Sequence, residues 1–569
     1  MKISSWPKKF FFFLALILLA FLLAWVSTGF EGVTGWESFW AVCALGIGIL
    51  WAGLRSLRAE SLPGWVTRLT VAAALIRLGA GALWFAGLPV WGHDTEVQNA
   101  GYVMSDAFQR DAAAWELAQA DKPLTRAFSG YRAADQYGGL LFLSAAVYRF
   151  LGGDVHQPLQ MVVLMAAISA LAVPFTWAFA RRLFDDEVAK WAAWGVALYP
   201  EAILLGSSQM REALMMTFAG MAFYGLARYW GEGSGAGGIA APRTLRLRVS
   251  PHTSQSLVSA QPSAQGASSF WGLGFVLLAL ALTLPFSPPL AVILLVMLGI
   301  VGLGMDDWRI VRNWRLWAVL GGAALVAVTA IGLGWERIAA MVDAERFETP
   351  WEMVAYWVEI SARWQARMTA GSSGVLQSVF DRTPEAVHLP FLLAYGVARP
   401  LLPAELLYST VPMWWAIGVW RSLGWTILLG MLVYAPVRAV NAERGEQRNM
   451  LLGLSLAAWA SILIATFWGG GDQWDNPRYR VAFCCVQIAL AAWAGVAYRR
   501  APDAWMRRAV AGVGIILAWF VPWYLDRYTD FDVIVGFRAP GVLESLGLGV
   551  GTWILYVAWD VVKTQKKKA

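Results

Sequence analysis

Gly92–Gln136 reads GHDTEVQNAGYVMSDAFQRDAAAWELAQADKPLTRAFSGYRAADQ, a polar stretch set between long apolar runs. Acids stand at Asp94, Glu96, Asp106, Asp111 and Asp135. Its distant counterpart is Asp472–Arg480, DQWDNPRYR, again wedged between apolar segments. In a chain otherwise written for lipid, these two loops are where water-side chemistry can sit. The functional reading turns on whether they face the same side.

Of 569 residues, 58% are hydrophobic and only 15% charged, and 34 are tryptophan. That balance belongs to a polytopic membrane protein, with the bilayer as its constant partner. The formal charge of +7 is spread among inter-span loops, so no nucleic-acid partner is expected. Cys43, Cys484 and Cys485 lie in apolar runs and read as small core residues, not as a disulfide or metal set. The N-terminus, MKISSWPKKFFFFLALILLAFLLAWVSTGF, has the basic start of a signal peptide. Its apolar part is too long for a signal core and no small-residue cleavage site follows, so a retained first span is expected.

Crossing the hydrocarbon layer takes about 20 apolar residues of helix. Apolar runs near 10–29, 37–54, 69–90, 158–180, 189–206, 210–227, 270–285, 288–305, 316–335, 413–437, 449–468, 481–498, 509–525 and 543–562 predict an all-α fold of about fourteen spans. Some are short or broken by proline, as at Pro200 and Pro288. Charge orients them. With the N-terminus in the cytoplasm, every short inner connection is basic: Lys8 and Lys9; Arg55, Arg58 and Arg68; Arg181, Arg182 and Lys190; Arg444 and Arg448; Arg499, Arg500, Arg507 and Arg508. The tail Lys566–Lys568 closes the series inside, so both termini are expected in the cytoplasm of a multi-pass cell-membrane protein. Residues 92–157, 336–410 and 469–480 then lie outside.

The domain reading follows. Residues 1–65 form an N-terminal hairpin and 66–230 a transmembrane module carrying the first large outer loop. Residues 231–269, rich in Gly, Ser, Gln and Ala, form a flexible cytoplasmic linker, and 270–569 a C-terminal region. Within the outer loop, Asp106–Ala120 has apolar residues at helical spacing and predicts a short amphipathic surface helix. Asp106 beside Ser105 stands at its head, where a carboxylate can cap first-turn amides. Tyr137–Phe150 predicts a second interfacial helix. Arg77, inside a span, is expected to face protein or a hydrated cavity, with an outer-loop acid as candidate partner.

The order of elements now resembles a known family. A span with an aromatic outer edge leads to an acid-headed surface helix and a second helix ending at Leu151-Gly152. Next come Ala180-Arg181-Arg182-Leu183-Phe184, Leu198-Tyr199-Pro200-Glu201 and Leu205-Gly206-Ser207-Ser208-Gln209-Met210-Arg211-Glu212. This resembles the polytopic glycosyltransferases of the GT-C fold, especially the family related to protein O-mannosyltransferases and lipid A aminoarabinose transferases. The likeness covers about Val66–Trp230 and returns at Asn476-Pro477-Arg478-Tyr479-Arg480-Val481-Ala482-Phe483.

The resemblance implies transfer of a hexosyl or pentosyl unit from a polyprenyl-phosphate sugar to an acceptor hydroxyl, on lipid, glycan or protein, at the extracytoplasmic face. An outer-loop acid would take the acceptor proton, because a neutral hydroxyl is a weak nucleophile and a positioned carboxylate activates it. Asp106 is the first choice for that base and Asp94 its rival; the family's adjacent acids are replaced here by Asp94-Thr95-Glu96 and Ser105-Asp106-Ala107. Arg478 and Arg480 would hold the departing lipid phosphate through planar forks, with Tyr479 at the interface. The bland alternative makes them ordinary headgroup contacts. Glu96 and Asp135 would line the substrate region. Arg211 and Glu212 read either as an ion pair at a span's end or as substrate contacts.

No cofactor is implied. His93, Asp94 and Glu96 offer ligands suited to magnesium or manganese, but His93, His156 and His388 lack zinc-like spacing, and no metal is assigned. The competing readings are a flippase or transporter of lipid-linked sugars and a lipid-linked oligosaccharide polymerase or ligase. Transporters carry repeated halves and mid-membrane charges, whereas the charges here collect in loops.

Overall fold

The computed structural model describes residues 6–131, 133–233, 265–305, 347–349, 351–353, 355–356, 374–407, 410–442, 446–469, 475–529, 536 and 539–566. Among these residues the regular structure is entirely helical. Eight helices are long and apolar enough to cross a membrane, and four shorter apolar ones accompany them. The expected span at 316–335, most of the linker at 231–269 and Asp472 lie outside the described residues. Cys43, Cys484 and Cys485 are buried and free, as their apolar settings predicted.

The chain forms two compact units. The first comprises Met1–Leu298, Tyr408–Leu432 and Val481–Ala501; the second comprises Gly299–Leu407, Val433–Arg480 and Pro502–Ala569.

Besides most of helix Pro288–Met305, most of Pro412–Val440 (which carries Arg421 and Gly424) and Cys484–Arg500, the first unit holds α1 (Trp6–Ser27), α2 (Trp36–Ser56), α3 (Gly64–Trp91), the turn α4 (Glu96–Asn99), α5 (Ser105–Gln119), α6 (Gly139–Phe150), α7 (Leu159–Ala170) and α8 (Ala172–Leu183). They continue as α9 (Asp186–Leu198), α10 (Pro200–Gly206), α11 (Arg211–Gly233) and α12 (Gln265–Thr283). Together α7 and α8 make one apolar rod whose central window is 94% buried inside the protein. It is the unit's axis, packed by α2, α3, α9 and α11.

The expected span at 189–206 is broken at Tyr199, where α9 ends and Pro200 starts α10. Proline has no N–H, so the carbonyl of Val196, four residues earlier, loses its helical partner. Arg77, buried halfway along α3, replaces it: one Nη donates to the Val196 carbonyl at 3.2 Å and Nε to the Ala202 carbonyl at 3.2 Å. The acid partner considered for Arg77 is therefore not what holds it. The Val196 carbonyl uncovered by the proline, together with that of Ala202, takes that place, as membrane helices require. One residue beyond the proline, Glu201 pairs with Arg421 (Oε1 to Nε, 2.9 Å), both wholly buried. Gly424, one turn on from Arg421, lets that helix close on the break, since a Cβ there would stand 2.5 Å from Pro200 Cδ.

The basic connections meet at one end of this unit. Glu60 accepts from Arg182 (2.6 and 2.8 Å) and from the Tyr224 hydroxyl, and its carbonyl receives Arg181. Arg499 and Arg500 bind Glu187 and Asp185 at the head of α9. The opposite end carries α4–α6 and the turn between α10 and α11.

In the second unit, helix 385–398 packs on helix 446–469, and helix 504–528 pairs with helix 542–566. The latter pair closes over Gly512 against Trp553 and is tied by Asp560 to Arg507 and Arg508. Helix 504–528 is apolar but only 11% of its window is buried within the protein, a surface fit for lipid.

Replacing Arg77 by leucine strands the Val196 carbonyl in an apolar interior, at a cost of roughly 1–3 kcal/mol. Thermal unfolding in detergent is expected to show a lowered midpoint for Arg77→Leu and a smaller loss for Arg77→Lys, whose single ammonium lacks the fork. An unchanged midpoint in the leucine variant would remove the role given to this arginine.

Candidate active site

Residues 105–150 fold as a helical hairpin. Both helices form where the periodicity predicts, and α5 packs along α6. Arg149, near the end of α6, fastens the hairpin. Its guanidinium donates to the carbonyls of Leu117, Ala118, Ala120 and Lys122 at 2.5–3.1 Å. Leu117 and Ala118 are in the last turn of α5, whose carbonyls lack helical donors, Ala120 is its cap and Lys122 follows just beyond; a cation is electrostatically favoured there.

The buried face of α5 is Ala107, Arg110, Asp111, Ala114, Leu117 and Ala118. An apolar stripe at helical spacing thus carries an adjacent arginine and aspartate, both inside. Burial of two charges requires partners, and each has a separate set.

Arg110 gathers the first set. It donates to the Gln209 carbonyl at 3.1 Å in the turn before α11, and its Nε lies 3.7 Å from Asp135. Asp135 is itself fixed by the backbone N–H of Leu141 at 3.0 Å, at the start of α6. Asp106, Arg211 and Glu212 also act on Arg110. Burial pulls its guanidinium below the ordinary value; Asp135, then Glu212 and more weakly Asp106 oppose that, while Arg211 adds to it. Arg211 lies 3.6 Å from Glu212 and stands over the Tyr137 ring at 5.2 Å. Burial raises the Tyr137 phenol, with Arg211 working against it. Three carboxylates and two guanidiniums from three remote segments therefore share one end of the unit.

Asp111 holds the second set. Its wholly buried carboxylate accepts from Tyr102 at 2.5 Å and from Tyr148, and meets His156 Nε2 at 2.8 Å. The His156 ring is stacked on Trp115 (centroids 5.1 Å apart) and edge-on to Tyr148. Burial, followed by the Asp111 charge, raises both phenols well above their ordinary value. Gln209 joins the two sets: its side chain meets the Tyr148 hydroxyl while its carbonyl receives Arg110. A cleft of about 30 Å³ beside them is lined by Trp84, Tyr102, Ala107, Ser207, Ser208 and Gln209 among others.

Of the residues singled out in the sequence, Asp106, Asp135, Arg211 and Glu212 come together here. Asp106 is half-buried at the head of α5. Asp94 and Glu96 lie on the exposed turn around α4, where Asp94 accepts from the Asn99 amide at 2.8 Å and Thr95 caps the turn. Arg478, Tyr479 and Arg480 belong to the second unit. There Arg480 is wholly buried and donates to the Arg399 carbonyl at 2.8 Å, while Arg478 stands over the Tyr479 ring. Among the described residues no three or more His, Cys, Asp or Glu side chains gather in a metal-binding group.

Arg110, Asp111, Tyr148 and His156 were not among the expected site residues. Their signal was nonetheless in the sequence, since positions 110 and 111 fall on the stripe set by Ala107, Ala114, Leu117 and Ala118. Compared with protein-family models, with curated proteins and with solved structures, the chain matches none.

Arg110→Met leaves the Gln209 carbonyl without its donor and the buried Asp135 without its countercharge, and a cost of about 3–5 kcal/mol is expected. Arg211→Met is expected to cost less, because its guanidinium is partly solvated. Comparing the two thermal midpoints in detergent checks the ranking, and a reversed order would demote Arg110 from the centre of the cluster.

Proposed function

We propose that the protein is a membrane glycosyltransferase of GT-C architecture with about fourteen spans. It moves a sugar from a polyprenyl-phosphate donor to an acceptor hydroxyl on the extracytoplasmic face, both termini lying in the cytoplasm. The observation that carries this reading is the convergence on Arg110 of Asp106, Asp135, Arg211 and Glu212, drawn from three segments remote in the chain. The basic connections sit at the other end of the same unit, in keeping with the charge rule for cytoplasmic loops.

In this reading Asp106 is the base. It is half-exposed, whereas Asp111 and Asp135 are buried away from any acceptor. The acceptor oxygen attacks the anomeric carbon while its proton passes to the Asp106 carboxylate. The bond from that carbon to the phosphate oxygen breaks, and polyprenyl phosphate leaves. Charge grows on the leaving phosphate, and a fixed guanidinium group is the kind of partner that stabilises it. Arg110 holds the carboxylates in register, a positioning task suited to its depth. Asp94 is the weaker candidate base, since its carboxylate braces the turn at α4 through Asn99.

The test is transfer from a polyprenyl-phosphate sugar by the purified full-length protein. Asp106→Asn is expected to lower the rate by about 10²–10⁴-fold, the usual worth of a positioned base. Asp94→Asn should keep most of it. Equal loss in both variants would remove Asp106 from its role. Movement of intact lipid-linked sugar without transfer would replace the enzyme by a flippase.

A further inference from the structure

The Asp111 network is not used by the transfer scheme, yet it is built with care. A fully buried carboxylate is held by two phenols and one imidazole, brought from the loop before α5, from α6 and from the segment leading to α7. Three donors of two kinds on one acceptor behave differently as pH changes. The phenols of Tyr102 and Tyr148 stay protonated throughout the neutral range, because burial and the Asp111 charge both oppose their ionisation. Imidazole is the side chain whose ordinary titration falls between pH 5 and 8.

We propose that His156 is a positioning residue whose charge state sets how firmly α5, with Asp106 and Arg110 on it, is held at this end of the protein. The geometry gives the imidazole no easy retreat. Its Nε2 lies 2.8 Å from Asp111, one face is stacked on Trp115 of α5, and the Tyr148 ring of α6 meets it edge-on at 5.3 Å. The titratable groups facing it are Asp111 from α5 and Tyr148 from α6, with Tyr102 sharing the same carboxylate. The ring is partly open to solvent, so protons reach it.

When the ring is charged, its bond to Asp111 is charge-assisted at both ends; when neutral, the same N–H donates from an uncharged ring, a weaker bond. The difference passes along a continuous path. Asp111 is the neighbour of Arg110 on α5, and Tyr148 meets Gln209, whose carbonyl receives Arg110. The grip on α5 is therefore tighter with the ring charged and looser with it neutral. The consequence for catalysis rests on the transferase reading; the grip itself does not.

Hydrogen exchange on the full-length protein, corrected for the intrinsic pH dependence of amide exchange, tests the grip without any substrate. Wild-type protein is expected to show amides of Ser105–Gln119 roughly fivefold better protected at pH 5.5 than at pH 8, the ratio that separates a charge-assisted from a neutral bond. His156→Gln keeps a neutral N–H donor but cannot take up charge. It should give the weaker protection at both pH values, while Leu159–Leu183 exchanges as in wild type and reports an intact fold. Absence of the pH difference in wild type, or its persistence in His156→Gln, would overturn the proposal. Should His156→Gln disturb Leu159–Leu183, His156→Asn, with a shorter amide, serves the same comparison. Sugar transfer that fails in every variant, wild type included, would count against the transferase and leave the exchange result standing.

Discussion

A guanidinium and a proline make the first unit what it is. Pro200 breaks the segment 186–206 and uncovers the Val196 carbonyl; Arg77 reaches across from α3 to cover it and takes the Ala202 carbonyl as well. Neither residue is tolerable alone in an apolar interior, one for want of a donor and the other for its charge. Together they fix the register of α3 against α9 and α10. Because α10 is short, that register is transmitted within two turns to Ser207–Gln209. There Trp84 of α3 donates to the Ser207 hydroxyl at 2.9 Å, and the Gln209 carbonyl meets Arg110. The break is therefore what aims the turn before α11 at the α5–α6 hairpin.

The hairpin in turn adds polar anchors to its buried apolar seam of Ala114, Leu117, Leu141 and Ala145. Arg149 gathers four carbonyls at one end of α5, and Arg110 and Asp111 anchor its middle. A helix held also by charged and hydrogen-bonded groups keeps a defined orientation, because such bonds are directional where dispersion contacts are not. Asp106, at the head of the same helix, shares that orientation.

How much of this could be read in advance depends on how local each signal is. Apolar runs are local, so the long helices at 36–56, 64–91, 159–183, 288–305, 412–440, 447–469, 504–528 and 542–566 stand close to where hydropathy puts them. The break at Pro200 and the acid at the head of α5 are local for the same reason. The partners of Arg77 are not local: they are carbonyls more than a hundred residues away, and no side-chain pattern announces a carbonyl. An acid was the natural partner to imagine for a buried arginine, and backbone took its place. Arg110 and Asp111 were passed over for a different reason. Adjacent opposite charges in an amphipathic helix ordinarily mark the solvated face, and only the positions of the flanking alanines and Leu117 betray that these two point inward.

Placing them inward has a consequence that neither residue would have alone. Neighbours in a helix are turned about 100° apart, so Arg110 and Asp111 address different sets of partners. One faces the turn before α11 and the carboxylates of Asp135 and Glu212; the other faces Tyr102, Tyr148 and His156. Had the two been four residues apart they would have paired with each other and satisfied one another locally. Being adjacent, they cannot, and each must recruit partners from elsewhere in the chain. The loop, α6 and the α10–α11 turn are thereby drawn onto one short helix, and the charged residues they carry come with them.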